Sequence, residues 1–468
     1  MPTLRSSQTL PVPRDEVFAF FAQPRNLARI TPPGLGFVLR SSDVRMRPGL
    51  DIEYRLRPLL GIPVTWRSRI VAYDPPASFV DDQVEGPYRH WSHQHRFIDL
   101  GEGTAIDDEV ELELPLGIIG GAAFRLSVRS RLEGIFRYRA RAVAAILQQA
   151  RPNPAPRRVA VAGGTGFVGG AVAAELHRRG HEVVVISHRG EDARALLPDA
   201  VGIRTADVTT GIGLDDALAG IDDLVIALAF PGSPVESPRQ GRTFEAVDAN
   251  GTERLVMAAR ASGVRSVRYV SGAGAAPDAE RHWFRAKWRA EEAVRTSGLT
   301  WTIVRPTWIY GPRDVSLNRF VGFARSLGMV PLTNRGRQLL APVFVDDIAH
   351  LLADTLEGTA AESATLEIGG PETLPMHGII ETALRVAGLR RPIVPGPTAL
   401  LKAMSAPLTL LPTPPLTPDA IDFINQPATV DTRPLLERMP RRLTPLAEGL
   451  ATYLAPSAGP GTLDWSTD

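Results

Sequence analysis

The chain has 468 residues, enough for about three domains at roughly 150 residues each, and its 52 Lys and Arg against 51 Asp and Glu leave a formal net charge of +1. That balance argues against a nucleic-acid binder working through a strongly basic surface. The absence of cysteine excludes disulfides, thiolate nucleophiles and cysteine-ligated zinc or iron–sulfur centres.

The opening MPTLRSSQTLPVPRDE lacks the apolar core of a secretory signal. No run of about 18 apolar residues occurs, since the best candidate, Ala399 to Leu416, is broken by Lys402 and by prolines. A soluble cytoplasmic protein is the expectation. Pro13-Arg14-Asp15-Glu16 opens a short helix carrying Val17, Phe18, Phe20 and Phe21. Period-two alternation then predicts antiparallel strands at Asp51–Leu56, Val64–Ile70, His93–Phe97 and Asp108–Leu114. Leu132, Ile135, Phe136, Val143, Ile146 and Leu147 recur at helical spacing and predict a long amphipathic helix. A short helix, a meander of strands and a closing helix make an α+β helix-grip architecture over residues 1–150. His90, His93 and His95 invite a metal reading, but His90 projects to the face opposite His93 and His95, so no metal is expected.

Three prolines in Arg151-Pro152-Asn153-Pro154-Ala155-Pro156 predict an extended linker over 151–156. Beyond it the pattern turns to strand–helix alternation, with strands at Arg157–Ala162, His181–Ser187, Asp223–Leu228, Val267–Ser271 and Trp301–Arg305. Such alternation predicts an α/β doubly wound parallel sheet, over 157–455, with a tail at 456–468.

Gly163-Gly164-Thr165-Gly166-Phe167-Val168-Gly169 follows the first of these strands and opens a helix, the context a dinucleotide fingerprint requires. Gly163 makes the turn, Gly166 lets backbone approach a pyrophosphate, and Gly169 lets helix pack on strand. The second strand ends in Ser187-His188-Arg189, with Glu191 and Asp192 further out. NAD binders place a carboxylate there for the ribose 2′-hydroxyl, whereas Arg189 suits a 2′-phosphate. NADP(H) is therefore preferred, with NAD(H) as the alternative.

Two resemblances add to this reading. Pro24-Arg25-Asn26-Leu27, Tyr73-Asp74-Pro75-Pro76 and Gly86-Pro87-Tyr88-Arg89-His90-Trp91-Ser92-His93-Gln94-His95 resemble the START-like polyketide cyclase/dehydrase (SRPBCC) superfamily, which implies a cavity for a hydrophobic small molecule. From Arg157 to Leu454 the chain resembles the extended or atypical short-chain dehydrogenase/reductases. The glycine turn carries that resemblance together with Asp207-Val208, Ala227-Leu228-Ala229, Val247-Asp248-Ala249-Asn250-Gly251-Thr252, Arg305-Pro306-Thr307, Tyr310-Gly311-Pro312 and Val345-Asp346-Asp347-Ile348-Ala349. Residues Gly163, Thr165, Gly166, Phe167, Val168, Gly169, Arg189, Asp207, Val208, Ala227, Leu228, Ala229, Lys287, Arg305 and Pro306 are thereby implied to hold the cofactor. That segments near 313–342 and 370–455 form the substrate side is implied only by this resemblance. Leu410 to Thr417 is similar to the atypical proteins related to the nucleotide-binding accessory subunit of respiratory complex I, and fusion to a START-like domain is similar to bacterial epimerase-like proteins.

The resemblance also implies catalytic groups. The family uses a tyrosine acid/base, a lysine after three intervening residues, and a serine. Ser271 and Lys287 match, but the tyrosine position is Trp283, whose indole donates a hydrogen bond and exchanges no proton near neutrality. Tyr310 is a stand-in candidate. The function expected is NADP(H)-dependent oxidation, reduction or epimerisation of a hydrophobic molecule; the alternative is a non-catalytic NADPH-binding regulatory or scaffold protein. The short amphipathic piece Ala399–Met404 suggests core packing or peripheral membrane contact. No nucleic-acid partner is expected.

Overall fold

The computed structural model describes residues 2–467 except 33–34, 42–44, 60–61, 116–127, 148–149, 191–193, 195–196, 231–235, 239–240, 359, 408–417, 419–420, 423–424 and 456–461. Glu191, Asp192 and the Leu410–Thr417 wording fall outside these. The chain forms two compact units, residues 1–149 with 457–468, and residues 150–456.

In the first unit, strands β1 (Pro2–Leu10), β2 (Val38–Leu39), β3 (Asp51–Leu59), β4 (Ile62–Asp74), β5 (Ser78–Glu85), β6 (His90–Asp99) and β7 (Thr104–Glu113) form an antiparallel sheet. Its order is β2-β3-β4-β5-β6-β7-β1, and the strand Thr462–Thr467 pairs with the outer edge of β1. The segment expected as a tail thus covers a sheet edge that would otherwise present unpaired backbone groups. Strict alternation sets the buried face. Trp91, His93, His95 and Phe97 of β6 lie on it, and so do Ile106, Asp108 and Val110 of β7. Helices α1 (Arg14–Phe21) and α2 (Arg129–Ile146) carry apolar residues that complete the core, with Phe18 edge-on to Phe97 at 5.3 Å. Sequence periodicity missed β1 and β5, whose mixed polarity disguises their period.

The second unit is built on a seven-stranded parallel sheet. Its strands are β8 (Arg158–Ala162), β9 (Glu182–Ser187), β10 (Gly202–Thr205), β11 (Asp223–Ile226), β12 (Ser266–Val270), β13 (Thr300–Pro306) and β14 (Ala364–Ile368), in the order β10-β9-β8-β11-β12-β13-β14. Both faces of the sheet are covered. Val159 and Val161 pack with Leu176 of α3 (Phe167–Arg178), while Ala160 and Ala162 pack with Leu255 of α4 (Asn250–Ala261) and Ala290 of α5 (His282–Arg295). That two-sided burial explains why these strands read as continuous apolar runs. Residues 151–156 are anchored against the end of α3. Arg151 N–H donates to Arg178 O at 3.0 Å and Asn153 Nδ2 donates to Arg179 O at 2.9 Å. Among the described residues no helix is long and apolar enough to cross a membrane.

Candidate functional site

Strand order reverses between β8 and β11, and in an open parallel sheet ligands bind in the crevice beyond the strand ends at such a switch point. The glycine turn, Asp207-Val208, Ala227-Leu228-Ala229 and Ser271 all follow the ends of the sheet's strands. The turn after β8 is as tight as its glycines imply. Gly163 has φ +82°, and a Cβ there would lie 2.3 Å from the Ala227 carbonyl oxygen; a Cβ on Gly169 would lie 2.3 Å from Gly163 O. α3 then begins without a side-chain cap, so its first amides and positive dipole end are left for an anion. Arg313 Nη2 donates to Thr165 O at 2.9 Å, which places a cation at the same turn.

Beside the turn lies a cavity of about 380 Å³. Gly166, Phe167, Val168, Ala227, Leu228, Ala229, Ser271, Trp283, Lys287 and Pro306 line it, and Phe244, Phe284 and Trp308 make its wall strongly aromatic. Gly163, Thr165 and Gly169 shape the turn from behind. Arg189 is exposed on the turn after β9, its N–H 3.2 Å from Ser187 Oγ. Asp207 and Val208 follow β10, where Asp207 Oδ1 accepts from the N–H and hydroxyl of Thr209.

Three expected residues are placed otherwise. Arg305 does not line the cavity; its guanidinium grips the buried Glu291, Nε to Oε1 at 2.8 Å and Nη2 to Oε2 at 2.6 Å. Ser271 lines the cavity, but its hydroxyl donates to Glu291 Oε1 at 2.6 Å. Tyr310 is fully buried among Leu317, Phe344 and Leu450, its hydroxyl 3.5 Å from Pro445 O, and burial raises its pKa. It is sealed in the core and not in the cavity.

Asp248 was not singled out as a site residue. It sits on a widened helical turn, Phe244–Ala249, immediately before α4, a geometry common where a side chain must be re-aimed. Lys287 Nζ lies 2.5 Å from Asp248 Oδ1 and 5.3 Å from the centre of the Tyr269 ring. Burial works to lower the Lys287 pKa, but the carboxylate overcomes it and holds the ammonium charged above its ordinary value. Asp248 Oδ2 is buried without a hydrogen-bond partner. The cavity wall therefore carries one carboxylate oxygen awaiting a donor.

Asp314 also lines the cavity, its Oδ1 accepting from Ser316 N at 2.8 Å and Oδ2 from Leu317 N at 2.7 Å at the start of α6 (Ser316–Ser326). Burial lifts its pKa to about 6 against those two donors. The folded state then holds a proton that the unfolded chain has already released, so stability must fall as pH rises from about 4 to about 6. The proton held over that range contributes about 3 kcal/mol. Denaturation of wild type and Asp314→Asn across pH 4–7 checks this; equal slopes in both would remove Asp314 as the cause.

The comparisons with known proteins bear on this unit. Residues 163–324 match the NAD(P)H-binding family model. The (4-alkanoyl-5-oxo-2,5-dihydrofuran-3-yl)methyl phosphate reductase of Streptomyces griseus is 30% identical over 241 residues, which cover 49% of this chain and 74% of that protein. The chain belongs to the NAD(P)H-binding family. This NAD(P)-binding protein is also 28% identical over 253 residues to NADH dehydrogenase [ubiquinone] 1 alpha subcomplex subunit 9, mitochondrial, of Arabidopsis thaliana, covering 53% of the chain but only 62% of the relative's length. The Citrobacter sp. triphenylmethane reductase complexed with NADP(H) shares the fold, with a TM-score of 0.51 at 21% identity over 63% of this chain and 100% of that one.

In the first unit, a second cavity of about 220 Å³ is lined by aromatic rings and by Asp81, His93, His95 and Arg139. Burial pulls the His93 pKa down to about 4. Burial works to raise Asp108, but Arg139 and the two imidazoles hold it well below the carboxylate range. The alternation of β7 places Asp108 at an apolar-face position between Ile106 and Val110, a signal available for it, whereas the mixed polarity of β5 offers none for Asp81.

Proposed function

We propose that the second unit is an NADPH-dependent reductase of an apolar small molecule, and that hydride goes to an electron-poor carbon without help from a side-chain acid. The observation that carries this is a cavity in which an aromatic wall adjoins a dinucleotide turn, while Ser271 and Lys287 are engaged by Glu291 and Asp248. The cofactor fits the residues present: a glycine turn that admits no Cβ, an uncapped helix start, Arg313 beside them and an unpartnered carboxylate oxygen on Asp248. The α3 amides and Arg313 would hold the pyrophosphate. Lys287 and Asp248 would hold the nicotinamide ribose, ammonium donating and Oδ2 accepting. Bound there, NADPH supplies the hydride.

Trp283 occupies the acid's place and exchanges no proton. Ser271 has given its hydrogen to Glu291, and Lys287 is held charged by Asp248. An acceptor conjugated to a carbonyl suits such a site, because the enolate left by hydride addition takes its proton from water. Phe244, Trp283 and Phe284 would hold the acceptor against the cofactor and keep bulk water from the transferring hydride. NADPH oxidation is expected with an alkyl enone and not with a saturated alkyl ketone. Oxidation of neither, with NADPH bound, would leave the alternative of a cofactor-binding regulator.

The preference for NADPH rests on Arg189. Arg189→Ala is expected to weaken NADPH about 10- to 100-fold and leave NADH unchanged, since a charge-assisted contact contributes about 1.5–3 kcal/mol. Equal affinities of wild type for both nucleotides, measured by calorimetry, would refute it.

For the first unit we propose the START-like reading, a carrier of a hydrophobic molecule, supported by the antiparallel sheet, α2 and the apolar cavity. Mass spectrometry of what denatured protein releases tests it; no copurifying or added apolar ligand would count against it.

A further inference from the structure

We propose that Asp81, His93 and His95 form a binding site for a divalent first-row transition metal on the buried face of the first unit's sheet, with Asp108 orienting both imidazoles.

The three ligands come from adjacent strands. Asp81 of β5 pairs in register with His93 of β6, and His95 of β6 pairs with Asp108 of β7. Because residues two apart share a face, all four side chains project to the same side of the sheet. His93 Nδ1 lies 3.8 Å and His95 Nε2 lies 3.5 Å from the same oxygen, Asp81 Oδ2, and one ligand atom from each residue falls within 4.8 Å of the others. Ligands held about 2.0–2.2 Å from a common ion stand roughly 3–4 Å apart, so the cluster needs little adjustment to close on a metal.

The protons decide what occupies the centre. Each imidazole turns its other nitrogen to Asp108: His95 Nδ1 lies 2.6 Å and His93 Nε2 lies 3.3 Å from Asp108 Oδ1. A separation of 2.6 Å between two acceptors is repulsive, so His95 Nδ1 carries a hydrogen and donates it to Asp108. Arg139 Nη2, 3.2 Å from that nitrogen and 3.6 Å from Asp108 Oδ1, balances the carboxylate's charge. His93 Nδ1, His95 Nε2 and Asp81 Oδ2, on the side away from Asp108, face one another. A divalent cation at their centre would be held by all three. A carboxylate fixing the tautomer and direction of a ligating imidazole is the recurrent outer layer of protein metal sites, and here one carboxylate serves two.

Two imidazoles and one carboxylate suit zinc, iron, cobalt or nickel and leave coordination positions open. Those positions face the aromatic cavity of about 220 Å³. The ligand they fit is an apolar molecule ending in a carbonyl or carboxylate oxygen.

The test is Co²⁺ titration of the chelator-treated full chain, followed by visible absorption, with Zn²⁺ as competitor. One Co²⁺ per chain, displaced by Zn²⁺, is expected. Asp81→Asn and His95→Gln should each weaken binding at least about 100-fold, and Asp108→Asn about 10- to 100-fold. His90→Gln, on the opposite face of β6, should leave it unchanged. No cobalt band from the folded wild type would overturn the site whether or not the variants fold. A band that survives Asp81→Asn and His95→Gln would do the same, and a shared proton would then hold the cluster together.

Discussion

Gly163→Ala is expected to reduce NADPH affinity at least about 100-fold. Two costs meet at this position. The backbone sits at φ +82°, where a residue with a Cβ loses about 1–2 kcal/mol. The new methyl would also lie 2.3 Å from the Ala227 carbonyl oxygen and 2.8 Å from its carbon, backbone atoms that cannot rotate away. Relief requires the ends of β8 and β11 to part, and their junction is the floor of the crevice. Gly322→Ala is the control: it lies exposed in α6, a Cβ there meets nothing within 4 Å, and helix propensity favours the change by about 1 kcal/mol. Calorimetric titration of both variants, with circular dichroism to establish folding, decides the matter. A Gly163→Ala protein binding NADPH within threefold of wild type would remove the turn from the cofactor site.

Much of this crevice was legible in the sequence because it is local. The strand, the glycine turn and α3 are contiguous, and Gly169 meets Gly163 within that stretch, although the carbonyl that crowds Gly163 comes from Ala227 on another strand end. The β6 and β7 alternation, running to Phe97 and from Asp108, was legible for the same reason. What escaped the sequence depends on partners far apart in the chain. Asp248 and Lys287 belong to different helices, and nothing local marks their ion pair. Arg305 follows the family wording, yet Glu291 claims it from a neighbouring helix. Tyr310 was a reasonable stand-in by type and place, but the strand carrying it turns the ring into the core beside Phe344 and Leu450. The histidines show the same limit. Their own strand offers His90 as a third ligand, on the opposite face, while the group that meets them is Asp81, across the ladder.

The Lys287–Asp248 pair carries the other large effect. Asp248 is 2% exposed at its side chain and Lys287 16%, so Lys287→Met leaves a carboxylate buried with no counter-charge. Breaking a buried pair by removing one partner costs about 3–5 kcal/mol, most of it the desolvation of the charge left behind. Lys287→Met/Asp248→Asn should recover at least about 2 kcal/mol of that loss, because neutral partners carry no such charge. The pH dependence gives a second, independent check. In wild type, burial already raises Asp248 while the ammonium opposes the rise; without the ammonium its folded pKa moves further above the unfolded value. The folded variant then binds a proton that the unfolded chain releases, so its stability falls as pH rises above the unfolded carboxylate value of about 4. The deficit relative to wild type should therefore shrink on acidification toward pH 4 and reach its full size near neutrality. Denaturant unfolding of the three proteins at several pH values reads both effects. A deficit that does not change with pH would locate the loss in lysine packing and not in the stranded carboxylate, and NADPH binding that survives Lys287→Met would take the pair out of the cofactor site as well.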